Sequence, residues 1–388
     1  MEWWQILLGV IVGLLLLDVL VILHELGHAL TAIRGGVVVE EFGLGFPPRA
    51  WSTELKKKFI LPKGTIVSLN WLPIGGFCKM KGEVDDAKEK GSYGAASLWV
   101  KTKILLAGVT ANFLGAIVIF TVLSLFGIPK VFEGQFVMPG DEHITNGPVI
   151  VGSVTDDLPA ATAGLKAGDE IIAIDGEVIS DSTQVPKITS EKHGQTITVE
   201  YKEESNNELL TANVNLRDDN SDGRGYLGMT SGQSSYIRAT WSAPIVGVVT
   251  TAQYTWLTLQ GLGDLFVNLA TGIAGKITGS EAAENLSAAG DAVAGPVGIL
   301  GNIFPAALAG GPIELAFITG IISLSLAVMN LLPIPGLDGG RWYLTLFFRF
   351  ILRRPLKEDT EGLINAIGMC LLFALIILIT VVDILKIV

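Results

Sequence analysis

The sequence predicts a polytopic α-helical membrane protein of about four transmembrane helices, with a membrane-associated β-hairpin region and one extracytoplasmic β-rich domain. Three observations carry this reading. Mean hydropathy is +0.52 and only 17% of the 388 residues are charged, a composition of membrane chains rather than soluble ones. Four apolar runs, 3–33, 104–126, 313–332 and 363–384, are long enough to cross a bilayer as helices. The charge is also uneven. Positions 34–103 hold 12 of the 27 Lys and Arg and positions 341–357 hold five, whereas 128–316 holds nine against 23 Asp and Glu.

Short loops rich in Lys and Arg stay on the cytoplasmic side of a membrane, while a long domain can translocate whatever its charge. The two basic stretches therefore set the orientation, and the acidic segment is expected outside. An acidic exterior argues against nucleic-acid binding. The first run does not read as a cleavable leader: it begins Met-Glu, lacks a basic start and has too long an apolar core. Cys78 falls in an expected cytoplasmic loop and Cys370 in the last span, so no disulfide between them is expected.

Four regions follow. Residues 1–130 form an N-terminal membrane part: the first span, a cytoplasmic or re-entrant β region and the second span. After Gly35-Gly36, Val37–Val39 and Thr65–Leu69 read as short strands. Trp71 to Lys81 is apolar and turn-rich but too short to span. It reads either as a hairpin dipping toward the membrane, whose edge pairs with an extended peptide, or as an ordinary surface hairpin. The second span carries small residues and Asn112, a pattern for close helix packing with an interhelical hydrogen bond.

Residues 131–229 alternate like strands at 149–152, 170–174, 196–201 and 209–214, with a short helix from Pro159 stopped at Gly164. Residues 230–312 are moderately apolar, with Trp241, Tyr254, Trp256 and Phe266 interrupted by Gly and Thr. They read as an amphipathic helix on the outer membrane surface rather than a fifth span. Residues 313–388 form the C-terminal membrane part.

Chemistry concentrates in the first run, at His24-Glu25-Leu26-Gly27-His28. Ionisable side chains inside a span are expensive and mark function by default. Positions i and i+4 share a helix face about 6 Å apart along the axis, so both imidazoles can reach one cation with Glu25 beside them. H-E-x-x-H on a helix supplies two zinc ligands and a carboxylate that accepts a proton from water. The alternative is a satisfied packing histidine. A chain of this composition would match the pattern by chance on the order of twice in a thousand cases.

Catalytic zinc takes three protein ligands and keeps a fourth position open. Residues 29–39 offer no third His, Asp or Glu. Asn330-Leu-Leu-Pro-Ile-Pro-Gly-Leu-Asp338-Gly-Gly340 does, where the third span breaks at Pro333 and Pro335. Asp338 reads as the distant third ligand or as a helix cap. Asn330 reads as a donor to substrate or as an interhelical hydrogen bond.

These residues resemble the site-2 protease family, nearest the bacterial regulator-of-sigma-E protease type. HELGH, the N-x-x-P-x-P-x-x-D-G-G stretch, EFGLGFPPRAW, LPIGGFCKMKGE, AGVTAN and AGPVGIL match stretches of that family in order. LPAATAGLKAGDEIIAIDGEVI makes residues 131–229 resemble a PDZ domain.

The resemblance implies zinc ligands His24, His28 and Asp338, the catalytic base Glu25, and substrate positioning by Asn330 and by a membrane-embedded β-hairpin around Gly75 and Gly76. It also implies Zn²⁺ as cofactor, single-span membrane proteins such as anti-sigma factors or signal-peptide remnants as substrates, and residence in a bacterial inner (cytoplasmic) membrane. The PDZ domain would lie outside, touching peptide segments, and the active site toward the cytoplasm. Val109 departs from the family's usual proline, and only one PDZ domain fits where many relatives have two. The rivals are a non-catalytic PDZ-bearing scaffold or receptor, which needs no Glu25, and a metal transporter, which needs no PDZ domain.

Overall fold

A computed structural model describes residues 2–204, 206–278 and 294–387. The chain divides into two compact units, residues 1–123 with 243–388, and residues 124–242.

In the first unit α1 (Trp3–Arg34) covers the whole first apolar run. It contains no proline, and a helix satisfies every backbone group internally, as lipid demands. It stops at Gly35 and at Gly36, whose φ is +78°. β1 (Val39–Glu54) and β2 (Ile66–Met80) follow. β1 begins where the expected strand at 37–39 ends, sharing only Val39 with it, and β2 runs well past the strand expected at 65–69. Gly45, Pro47, Pro48, Pro73 and Gly75 do not end them, because repeated register shifts absorb the irregular residues. The first half of β1 is flanked by both ends of β2: Phe42 pairs with Val67 and with Cys78, Leu44 with Leu69 and with Gly76. The Trp71–Lys81 run is thus the second half of one strand. Cys78 is buried there, Cys370 is exposed on the last helix, and both are free thiols.

α2 (Leu98–Phe126) covers the second run. A core of Ala29, Ala32, Val39, Cys78, Met80, Tyr93, Ile104 and Leu105 joins the end of α1, the hairpin and the start of α2.

The second unit holds β3 (Ile128–Pro129), β4 (His143–Val154), α3 (Pro159–Thr162), β5 (Glu170–Ile174), β6 (Glu177–Val178), α4 (Gln184–Glu191), β7 (Thr196–Lys202), β8 (Leu209–Asn215) and β9 (Met229–Arg238). They form one sheet in the order β3-β9-β4-β5-β7-β8, with β6 against β5. Alternate residues of β7 are buried, Ile197, Val199 and Tyr201, and join Val149, Val151, Ile171 and Val214 in a single core.

The chain re-enters the first unit as α5 (Ala243–Thr278), one helix of 36 residues. Its glycines do not interrupt it. The first half packs on the other helices: Tyr254 stacks on Phe120 at 5.7 Å and meets Phe317 edge-on at 5.7 Å. Trp256, Phe266 and Val267 further along are exposed. Residues 279–293, inside the same expected segment, lie outside the described residues. An unexpected short helix, α6 (Pro296–Gly310), follows. Its first turn is held by Asp383, which accepts from Gly298 N (2.8 Å) and Gly295 N (3.3 Å).

α7 (Pro312–Leu331), α8 (Asp338–Leu346) and α9 (Glu358–Ile387) complete the unit. Among the described residues, four helices are long and apolar enough to cross a membrane: α1, α2, α7 and α9.

Candidate metal centre

His24 and His28 project from one face of α1, as i and i+4 require. They are 8% and 6% exposed. Their Nε2 atoms lie 3.1 Å apart. Asp338, more than three hundred residues away in sequence, brings Oδ2 to 2.9 Å from His24 Nε2 and 3.1 Å from His28 Nε2. Among the described residues these three form the one group of His, Cys, Asp and Glu arranged to hold a metal ion.

Local chain chemistry explains how Asp338 arrives. Leu332 is extended at the end of α7, Gly336 has φ +95°, and Leu337 is extended before α8 begins at Asp338. Two prolines in five residues prevent α7 from continuing. The start of α8 is then fixed from behind by Arg341, three residues on. Its Nε donates to Glu361 (2.8 Å), and its other nitrogens donate to the Glu83 carboxylate (2.8 Å) and the Glu83 carbonyl. A neighbouring cluster ties the same loops together. Asp85, 1% exposed, accepts from Lys101 Nζ (2.5 Å), Arg349 Nε (2.9 Å) and Leu356 N (2.9 Å). The Lys101 and Arg341 cations both lie over the Tyr93 ring, at 5.3 and 5.1 Å from its centre.

Three features of this donor set fit zinc. Two imidazole nitrogens and one carboxylate oxygen are its usual ligands. Their mutual separations of 2.9–3.1 Å approach the ~3.3 Å edge of a tetrahedron with bonds of about 2.0–2.1 Å. His28 Nδ1–H donates to the Ile104 carbonyl at 2.7 Å, so its Nε2 carries the lone pair that a metal needs.

The other residues singled out from the sequence lie at different places. Glu25 is half-buried on α1. Gly76 faces it: a Cβ at Gly76 would fall 2.8 Å from Val21 Cγ1 and 3.5 Å from Glu25 Cγ. Gly75 has φ +88° beside the Phe46 ring. Asn330 donates from Nδ2 to the Leu326 carbonyl of its own helix (3.0 Å). That is neither a bond to the three-residue cluster nor an interhelical one.

From the sequence the α2 wall of the centre has a packing role, with an interhelical hydrogen bond of Asn112; the partner of that bond is His24 of α1, inside the three-residue cluster. Gly108 faces both imidazoles. Asn112, one turn on and 1% exposed, places its amide 3.3 Å from His24 Nδ1. The signal was available: a glycine and an asparagine at i and i+4 in a span repeat the spacing of the two histidines.

Known proteins resemble this chain over nearly its whole length. The profile of peptidase family M50 matches residues 12–375. A protein of Clostridium perfringens named as a zinc metalloprotease is 29% identical over 97% of this chain and 98% of its own length. The regulator of sigma-W protease RasP of Bacillus subtilis is 25% identical over 96% of this chain and 97% of its own. The PDZ domain of the SdrC-like protein of Listeria monocytogenes is 33% identical where it matches, covering 22% of this chain and 86% of that one at a TM-score of 0.20.

Proposed function

The chain belongs to peptidase family M50, the site-2 proteases, and as an intramembrane zinc metalloprotease of that family we propose that it cuts single-span membrane proteins at a centre built from His24, His28, Asp338 and Glu25. The observation that carries this reading is the convergence of three metal-ligand atoms, within 3.1 Å of one another, from α1 and from the start of α8. Buried polar groups at such depth are costly, about 2.5–3.5 kcal/mol for a charge at a helix centre, and their retention calls for a use.

His24, His28 and Asp338 would hold zinc, which would supply a water of near-neutral pKa and a Lewis acid for a peptide carbonyl. The protein does the rest. Glu25 takes a proton from the attacking water and returns one to the leaving amide nitrogen. Nδ1 of His28, bonded to Ile104, keeps that ring in one orientation. The substrate must unwind to expose its carbonyls, since a helical peptide hides them in its own hydrogen bonds. The end of β2 near Gly76 pairs with β1 on one side and borders Glu25, which suits it to hold the opened segment extended. Asn330 and Gly75 complete the substrate-positioning set in this reading, although Asn330 must first release Leu326.

The substrates proposed are anti-sigma factors or signal-peptide remnants in a bacterial inner membrane. The name of the Bacillus subtilis relative, regulator of sigma-W protease, supports the former. The basic stretches 34–103 and 341–357 support a centre toward the cytoplasm, with residues 131–229 outside as a PDZ domain that filters or clamps peptide.

The test is cleavage of a truncated single-span reporter by purified protein in detergent, with Glu25→Gln alongside. Cutting within the span by wild type alone, stopped by a chelator, is the expected result. Equal cutting by both would remove Glu25 from its role. Silence of both, with reporter tails still bound, would favour a scaffold.

A further inference from the structure

We infer that Asn112 is the positioning residue of the metal centre, its amide oxygen accepting the Nδ1 proton of His24 and thereby leaving His24 Nε2 free to bind metal. The inference rests on the assignment of His24, His28 and Asp338 as ligands.

It begins from an asymmetry between the two imidazoles. A neutral imidazole carries one proton, and which nitrogen holds it is decided by the partner of the other. For His28 the partner is a carbonyl, Ile104 O, which can only accept. For His24 the hydrogen-bond partner at Nδ1, among the described residues, is the Asn112 side chain, 3.3 Å away. Here the amide nitrogen stands nearer, while Asn112 Oδ1 is buried with no hydrogen-bond partner among the described residues. An unpaired buried acceptor costs on the order of 1–3 kcal/mol. A half-turn of the amide about Cβ–Cγ exchanges oxygen and nitrogen without moving the backbone. It gives the orphaned oxygen a donor and fixes the tautomer that metal binding requires.

The placement is rigid. The Asn112 main-chain carbonyl accepts from Ser323 Oγ of α7 at 2.9 Å, and Gly108, one turn earlier, stands so near both rings that a Cβ there would collide with them. An asparagine that served only to pack α2 against a neighbouring helix would direct its amide to that helix's backbone. This one is directed at a ring nitrogen.

The experiment is zinc affinity of the full-length protein in detergent, measured by competition with a chelator of known affinity, for wild type, Asn112→Asp, Asn112→Leu and His24→Ala. Aspartate keeps an acceptor at the same reach, and leucine keeps the volume without one. Loss of a support of this kind typically weakens metal binding about 10–100-fold. Asn112→Leu is therefore expected to lose that much, while Asn112→Asp holds zinc within a few-fold of wild type, with both melting near wild type when zinc-free. Equal affinity in wild type and Asn112→Leu overturns the inference, and so does an equal loss in Asp and Leu, which would mark a packing role. If leucine is not tolerated, Asn112→Ala gives the same comparison with Asn112→Asp. If His24→Ala holds zinc as tightly as wild type, the ligand assignment itself falls and the inference with it. Zinc that is lost in His24→Ala but untouched in Asn112→Leu removes only the inference.

Discussion

A methyl group on Gly108 would lie 2.4 Å from His28 Nε2 and 2.5 Å from His24 Nε2, the two atoms assigned to the metal. Ordinary contact between non-bonded heavy atoms is about 3.5–4.0 Å, so Gly108→Ala demands a displacement of about 1 Å from the imidazoles or from α2. The imidazoles cannot retreat together without leaving Asp338 Oδ2, now 2.9 and 3.1 Å away. A shift of that size at reacting groups can cost about 100-fold in rate. Gly115, seven residues along the same helix, is the control: a Cβ there meets only the end of the Leu23 side chain at 2.8 Å and Ser323 Oγ at 3.5 Å. The assay is zinc content and reporter cleavage for both alanine variants, with thermal melting to show that each is folded. Gly108→Ala should lose zinc and about two orders of magnitude in rate, and Gly115→Ala should lose little of either. Wild-type zinc affinity and rate in a folded Gly108→Ala would refute the proposed packing of α2 on the centre.

Other outcomes follow from the same structure. Glu25→Gln should keep its zinc while cleavage falls by about 100- to 10,000-fold, the usual worth of a positioned proton acceptor; loss of the metal would show instead that Glu25 holds up the site. A chelator should abolish cleavage by the wild type and added zinc should restore it, read on the same reporter. Arg341→Met leaves Glu83 and the 3%-exposed Glu361 without their cation and should lower stability by about 3–5 kcal/mol, visible as a depressed melting temperature in detergent. Asp85 is pulled two ways: burial raises its carboxyl pKa, but the Lys101 and Arg349 hydrogen bonds outweigh this and hold it below the ordinary value. Its contribution to stability is therefore present above about pH 4, the unfolded carboxyl value, and is lost as pH falls through the lower folded value. A melting series from pH 6 downward should show an acid limb that Asp85→Asn flattens.

What could be read from the sequence was whatever repeats at a fixed spacing. The four long apolar helices announced themselves by length. HELGH placed two ligands on one face because i and i+4 on a helix share a face whatever the fold around them. Asp338 could be nominated because prolines and glycines around a carboxylate at a span's end are hard to explain otherwise. Contacts between elements were not legible. The extents of β1 and β2 were missed because Pro47, Pro48 and Gly75 look like strand ends when the bulges that absorb them depend on the paired strand. The glycines of α5 look like interruptions in the sequence, yet the helix runs through them, and Gly247 lets it approach Thr121 of α2, with a would-be Cβ 2.8 Å from that residue's backbone nitrogen. Asn112 was read as packing because nothing in its own neighbourhood names His24, 88 positions earlier.

The central claim is that His24, His28 and Asp338 together hold one zinc ion. X-ray absorption at the zinc edge, on detergent-purified protein with metal stoichiometry measured on the same sample, tests it most directly. About one zinc per chain is expected, bound by nitrogen and oxygen at ~2.0–2.2 Å with imidazole scattering and no sulfur, and lost in His24→Ala and Asp338→Ala. Zinc bound through sulfur, or zinc that survives both substitutions unchanged, would contradict the account.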